Sequence, residues 1–252
     1  MRLEGKIAII TGATQGIGQG CAIRMAAEGA SVVCADLQHD DATAKQIVAS
    51  GGKATHVVMD VRNAGDWEAL VSATVERYGT VDLLGNVAGV VNTVSEDTVT
   101  GLTEEGWNYV IDTDLKGPWL GMRAVIPGMI ANGGGRIVNI SSLAALRGLP
   151  NLAAYSASKG GVIGLTQQAA LEYAPDNVLI NAICPGTIDT PILGDITEQM
   201  RQENTQAHLI KRLGRPADIA GTMCHFFSAD GSFLTGLTYP VDGGWSANGR
   251  SY

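Results

Sequence analysis

The 252 residues are 45% hydrophobic and include 33 glycines, enough apolar material for a sizeable core, and the length allows one or two domains. A formal net charge of −8 argues against a nucleic-acid or anionic-membrane partner. Cys21, Cys34, Cys184 and Cys224 are scattered through apolar segments without metal-like spacing, which points to reduced thiols and a cytoplasmic location.

The opening apolar run, Lys6 to Ile10, is too short for a signal or membrane segment. Ile7 to Ile10 reads as a strand. Thr11-Gly12-Ala-Thr-Gln15-Gly16-Ile17-Gly18 follows, then a helix to about Glu28. Glycines at 12, 16 and 18 permit a tight turn and close backbone approach, so amides at the helix start can face a pyrophosphate. Ser31 to Ala35 is the second expected strand, with Asp36 at its carboxyl end, about 20 residues beyond the glycines. A carboxylate there accepts hydrogen bonds from an adenosine ribose and repels a 2′-phosphate, and neither Gln15 nor Leu37 brings a positive charge. The third strand is expected over Ala54 to Met59, ending in Asp60-Val61, a pair suited to clasping an adenine ring.

Trp67, Leu70, Val71, Thr74, Val75 and Tyr78 recur at helical spacing and read as core. Val81 to Leu84 is the fourth expected strand, leading into Asn86-Val-Ala88-Gly89, whose small residues let a cofactor lie against the backbone. Pro118, four residues after Asp114, has no N–H for the Asp114 carbonyl, which is expected to be left free in mid-helix. Arg136 to Ile140 reads as a buried strand that delivers Ser142. Beyond it, Tyr155 and Lys159 are spaced to share one helix face, so the ammonium can stand near the phenol. Desolvation raises a phenol's pKa and a nearby cation lowers it, so the lysine favours a phenolate able to act as a base.

Gly160, Gly161 and Gly164 are expected to allow close packing on a neighbour. Val178 to Cys184 is the next strand, followed by the loop Pro185-Gly186-Thr-Ile188-Asp-Thr190-Pro191. Leu193, Ile196, Met200 and Leu209 mark a lid at about 190–210, and Leu143, Leu149 and Leu152 suggest a nonpolar or cyclic substrate. His39, His56, His208 and His225 have no paired spacing for a metal. Leu237 to Val241 is the closing strand. Strand-like runs alternate with helical patterns throughout, the sign of a parallel sheet covered on both faces.

In order and spacing, the glycine turn, Asn86-Val-Ala88-Gly89, Ser142, Tyr155-x-x-x-Lys159 and Pro185-Gly186 resemble the short-chain dehydrogenase/reductase family over essentially the whole chain. The resemblance implies one α/β domain over 1–252, doubly wound and Rossmann-type, with a seven-stranded parallel sheet. It implies hydride transfer between a nicotinamide and an alcohol or ketone. Tyr155 would be the acid or base, Ser142 would hold the substrate oxygen, and Lys159 would bind the nicotinamide ribose and lower the Tyr155 pKa. Gly12, Gln15, Gly16, Ile17, Gly18, Asp36, Leu37, Asp60, Val61, Asn86, Ala88, Gly89, Tyr155, Lys159, Pro185, Gly186, Ile188 and Thr190 would contact the cofactor.

The chain departs from the family pattern twice. Val87 stands where the family usually has asparagine, and Asp114 stands where its fourth catalytic residue is asparagine. In the family the backbone carbonyl at that position holds a water of a proton relay, a role the main chain can keep. The resemblance also implies a homotetramer, with the tail from Trp245 to Tyr252 helping to close a neighbouring site. The expected activity is that of an NAD-dependent dehydrogenase of secondary alcohols, with a small alcohol or ketone as partner. A 3-oxoacyl thioester reductase and a non-catalytic NAD-binding regulator are the alternatives.

Overall fold

In a computed structural model, residues 1–248 are described. Seven strands form one all-parallel sheet in the order β3-β2-β1-β4-β5-β6-β7. They are β1 (Ile7–Thr11), β2 (Ser31–Asp36), β3 (Lys53–Val58), β4 (Leu83–Asn86), β5 (Gly135–Ile140), β6 (Val178–Pro185) and β7 (Thr238–Val241). The helices are α1 (Gly16–Ala27), α2 (Ala42–Ala49), α3 (Ala64–Tyr78), α4 (Glu104–Ile111), α5 (Gly117–Ala131), α6 (Ala153–Tyr173), α7 (Glu198–Ala207) and α8 (Pro216–Phe227).

Every residue of β1 is buried, because a parallel sheet is covered on both faces. Successive side chains go to opposite sides. Ala8 and Ile10 pack with Cys21 and Met25 of α1 and Met223 of α8. Ile9 packs on the other face with Trp67 and Leu70 of α3 and Val125 of α5. Of the residues expected in the α3 core, Trp67, Leu70 and Thr74 are buried, but Val75 is 43% exposed because the helix turns it to the solvent flank. Burial pushes the thiols of Cys21 and Cys34 up to about 12, leaving them inert packing groups.

The β4 strand lies two residues later than expected. Its pairing runs on to Gly85 and Asn86, opposite Val138 and Asn139 of β5. A side chain at Gly85 would come within 2.8 Å of Ile10, so glycine keeps this central strand close to its neighbours. The Asn86 amide donates to Asn139 Oδ1 (2.8 Å), and the Asn139 amide donates to Thr166 Oγ1 (2.9 Å), tying β4, β5 and α6 together. All three side chains are buried. Asn139→Ala removes the shared partner and is expected to cost about 2 kcal/mol or more, since each orphaned buried polar group costs ~1–3 kcal/mol. The drop in urea midpoint measures it; a loss under ~0.5 kcal/mol would contradict this account of the network.

The carboxyl ends of β1 and β4 diverge where the strand order reverses, which opens a crevice in a doubly wound sheet. Between α4 and α5 the chain makes a wide π turn, Asp112–Lys116, in which the Gly117 N–H reaches back to the Asp112 carbonyl. Such a widening accommodates the missing amide at Pro118 and sets Asp114 in the middle of the turn. Gly161 lets α6 press on this turn, since a side chain there would come within 2.8 Å of Leu115. Around Gly160 and Gly164, by contrast, there is open space.

Candidate active site

A cavity of about 680 Å³ lies at the carboxyl ends of the strands. It is lined by all the expected site residues except Asn86 and Asp114. Asn86 is spent inside the core, as described above. Asp114 lies wholly buried behind Lys159.

The glycine turn forms the floor of one end. Gly12 has a φ of +65°, and a side chain there would come within 2.9 Å of the Ala88 backbone. Thr11 Oγ1 fastens the two segments by accepting hydrogen bonds from the Val87 (2.9 Å) and Ala88 (3.0 Å) amides. Gly18 packs directly on the Gly12 carbonyl, leaving no space for a Cβ. Gln15 precedes α1 in extended conformation with no side-chain cap, so the first amides of the helix are offered to the cavity. Uncapped amides and a glycine cradle fit a pyrophosphate.

Asp36 sits at the end of β2. Its Oδ2 accepts from the Thr14 amide (3.0 Å) and hydroxyl (2.8 Å), and its Oδ1 accepts from the Gln38 amide (3.1 Å). A carboxylate has about four acceptor positions, so one remains for a ribose hydroxyl. Asp60 is more fully engaged. Arg62, which the sequence reading passed over, grips it through Nε (2.9 and 3.0 Å) and Nη2 (2.6 Å), and this ion pair holds the Asp60 carboxyl below its usual range. Asp60 and Val61 both line the cavity wall at this end.

At the cavity's centre, Ser142 follows β5 in extended conformation, and its Oγ accepts from the Ala144 amide (3.1 Å). Tyr155 and Lys159 come from the first two turns of α6, and the Lys159 Nζ lies 5.4 Å from the centre of the Tyr155 ring. Lys159 is almost entirely buried. Its ammonium donates to the Ile140 carbonyl (3.1 Å) and pairs with Asp114 Oδ2 (3.0 Å). Asp114 Oδ1 in turn accepts from the Val90 amide (2.8 Å). Gly89 leaves room for this pair, because a Cβ there would stand 3.2 Å from both charged atoms.

Asp114, Tyr155 and Lys159 act on one another through their charges. Burial raises the Tyr155 pKa, and Lys159 and a hydrogen bond with Ser142 pull it down, but Asp114 pushes it up again, so the phenol stays above its ordinary value. Burial is the largest cause, and the carboxylate that replaces the family's asparagine adds to it. Burial favours neutral lysine, yet the charge and hydrogen bond of Asp114, together with Tyr155 and Cys184, offset this and hold Lys159 above its usual pKa. Asp114 itself is raised by burial against the opposing pull of Lys159 and the Val90 amide.

Beyond Tyr155 the wall is mainly aliphatic, with Leu143, Leu149 and Leu152 all present as expected. From the segment at 190–210, Thr190 to Leu193 line the cavity, while Met200 and Leu209 are about half exposed and do not, because they lie on and beyond the outward side of α7. Trp245 lines the cavity of its own chain, and the Arg147 guanidinium donates to its carbonyl (3.3 Å). Residues 249–252 of the expected tail lie outside the described residues. Asp97 and Asn92 also line the wall and were missed, since no local pattern marks the loop after β4.

Comparison with known proteins agrees with this geometry. A family model described as enoyl-(acyl carrier protein) reductase matches residues 12–246. The chain is 39% identical to cyclohexanol dehydrogenase of Acinetobacter sp. (strain SE19), over 98% of this chain and 97% of that one. It is 38% identical to trans-4-hydroxycyclohexanecarboxylate dehydrogenase of Sinomonas cyclohexanicum, over 98% and 95%. It is 35% identical to 3-oxoacyl-(acyl-carrier-protein) reductase of Thermotoga maritima, over 97% and 99%. With a parallel seven-stranded sheet, a glycine turn at the crevice and full-length similarity to dehydrogenases and reductases, the chain belongs to the short-chain dehydrogenase/reductase family.

Proposed function

We propose that the protein is an NAD-dependent dehydrogenase that interconverts a cyclic or otherwise nonpolar secondary alcohol and its ketone. The observation that carries this reading is the meeting of Ser142, Tyr155 and Lys159 on one cavity, between a glycine cradle and an aliphatic wall. Similarity to dehydrogenases named for cyclohexane-ring alcohols supports the cyclic class.

A bound nicotinamide supplies the hydride acceptor and, when oxidised, a second positive charge. The chain's residues do the rest. Ser142 Oγ holds the alcohol oxygen, and the Tyr155 phenolate takes the hydroxyl proton as the carbinol hydride leaves. Lys159 stabilises that phenolate through its charge and offers its remaining N–H to the nicotinamide ribose. In the reverse direction Tyr155 returns the proton to the forming alkoxide. Thr190, Pro191, Ile192 and Leu193 form the part of the lid that meets the substrate.

Asp36 supports NAD over NADP, because a 2′-phosphate there would face a carboxylate while Arg62 is committed to Asp60. The preference, as a ratio of kcat/KM values, is expected to exceed ~100-fold and to fall at least tenfold in Asp36→Asn, which removes only the charge. A parent enzyme working with NADP alone would sink this part of the reading. The similarity to a 3-oxoacyl thioester reductase keeps a second activity in play. A cyclic alcohol with NAD, run beside an acetoacetyl thioester with NADPH, separates the two. The proposed enzyme turns over the first pair at least tenfold faster.

Among the described residues no helix is long and apolar enough to cross a membrane. The open space beside Gly160 and Gly164 on α6 suits the homotetramer expected from the family, and the proposed location is the cytoplasm.

A further inference from the structure

The charged side chains that line the cavity are Asp36, Asp60, Arg62, Asp97 and Lys159. Asp36 stands at the end of β2, and Asp60 and Arg62 neutralise each other beyond β3. Asp97 is fastened to the positive start of α6, where its carbonyl accepts from the Ala153 amide (3.1 Å) and its Oδ1 from the Ala154 amide (2.8 Å). Lys159 is therefore the one cation beside Tyr155 among the described residues of the wall.

Behind that wall, Asp114 cancels it. The two charged side chains, 3.0 Å apart, are 3% and 0% exposed, so water hardly screens them. The carboxylate is held in place by the Val90 amide (2.8 Å), and the ammonium by the Ile140 carbonyl (3.1 Å). As a unit the pair carries no net charge. The family's asparagine at 114 would have almost the same shape but would leave a buried positive charge.

That charge has a consequence for the cofactor. In the proposed reading the glycine turn and Asp36 hold the adenosine half, so the nicotinamide half extends toward Ser142 and Tyr155, where hydride is exchanged. A nicotinamide ring is a cation when oxidised and neutral when reduced. A net charge on the lysine side of the cavity therefore discriminates between the two oxidation states, and in a dry site it acts several times more strongly than in water.

We infer that Asp114 sets the preference of this site for oxidised over reduced nicotinamide, by cancelling a lysine charge that would otherwise repel the oxidised ring. This rests on the NAD-dependent reading above. Asp114 is absent from the cavity wall and acts only through its charge. The effect favours loading of NAD and release of NADH, the direction of alcohol oxidation.

The test is calorimetric and needs no turnover. NAD, NADH and ADP-ribose are titrated at about pH 7, well below the ordinary lysine pKa, into the parent, Asp114→Asn and the double variant Asp114→Asn/Lys159→Met. In Asp114→Asn, NAD is expected to bind about tenfold more weakly, with NADH and ADP-ribose within about twofold of the parent. The double variant removes both charges. It weakens both nicotinamides by losing the lysine contact, but the ratio of their affinities is expected to return to within about twofold of the parent's. A merely structural role for Asp114 would weaken NAD and NADH alike, so an unchanged ratio in Asp114→Asn overturns the inference. A double variant whose ratio departs about fivefold or more from the parent's also overturns it, a comparison that stands even if the single variant fails to fold. Reduction of NAD by cyclohexanol, measured separately, reports failure of the dehydrogenase reading without touching these ratios.

Discussion

Tyr155→Phe is expected to lower kcat/KM for alcohol oxidation by about 10³-fold while leaving nicotinamide binding within about twofold. The change removes one oxygen and keeps the ring above Lys159, 5.4 Å from the ammonium. General base catalysis typically contributes ~10²–10⁴-fold, and among the described residues no other side chain beside Ser142 is placed to take the proton. Buried as it is, Lys159 keeps its bonds to Asp114 and Ile140 in the variant, so the cofactor side of the site stays intact. Steady-state rates and fluorescence titration with reduced nicotinamide together check both halves. A variant retaining more than a tenth of the activity would remove Tyr155 from the chemistry. A parent that binds the nicotinamide tightly but turns over no alcohol would favour a non-catalytic regulator.

The second large effect concerns Asp114. Restoring the family's residue with Asp114→Asn removes a buried negative charge that raises the Tyr155 pKa. Tyr155 must be deprotonated to accept the proton, so activity rises with pH as the phenol ionises. Lowering its pKa moves that acid limb to lower pH. On the plateau, turnover is expected to stay within about twofold, because the backbone at this position is unchanged. A limb that stays in place, or moves up, would show that the carboxylate does not act on the phenol.

Asp114→Ala is a harsher change. It leaves the Lys159 ammonium buried with only the Ile140 carbonyl, and breaking one side of a buried ion pair costs ~3–5 kcal/mol. A urea midpoint shift corresponding to about 3 kcal/mol is expected; a loss below ~1 kcal/mol would mean the pair is solvated in solution.

Much of this site was legible because its motifs are local. Tyr155 and Lys159 lie one helical turn apart, and the glycine turn joins a strand directly to a helix, so spacing alone brings those groups together. The aliphatic wall was legible in Leu143, Leu149 and Leu152 because they flank these residues in the chain. The Asp114–Lys159 pair was not legible, since it depends on a π turn that rotates a distant segment toward α6. Proline at 118 announced a disturbance there but not where the carboxylate would point. The side-chain partner of Asn86 was not legible for a related reason: its amide pairs with Asn139 across the sheet. The Arg62 grip on Asp60 spans two residues and was open to a closer reading. Asp97 carried no signal at all, because its role depends on packing against the start of α6. The strand ends shifted by one or two residues where pairing partners, not apolar content, set the limits.

The central claim is that hydride passes from a secondary carbinol carbon to a nicotinamide in this cavity. Cyclohexanol carrying deuterium on that carbon, incubated with the protein and NAD, tests it directly when the reduced nicotinamide is examined by mass spectrometry. The account predicts reduced cofactor carrying one deuterium. Reduced cofactor without deuterium, or none formed from this or any other secondary alcohol, would contradict it.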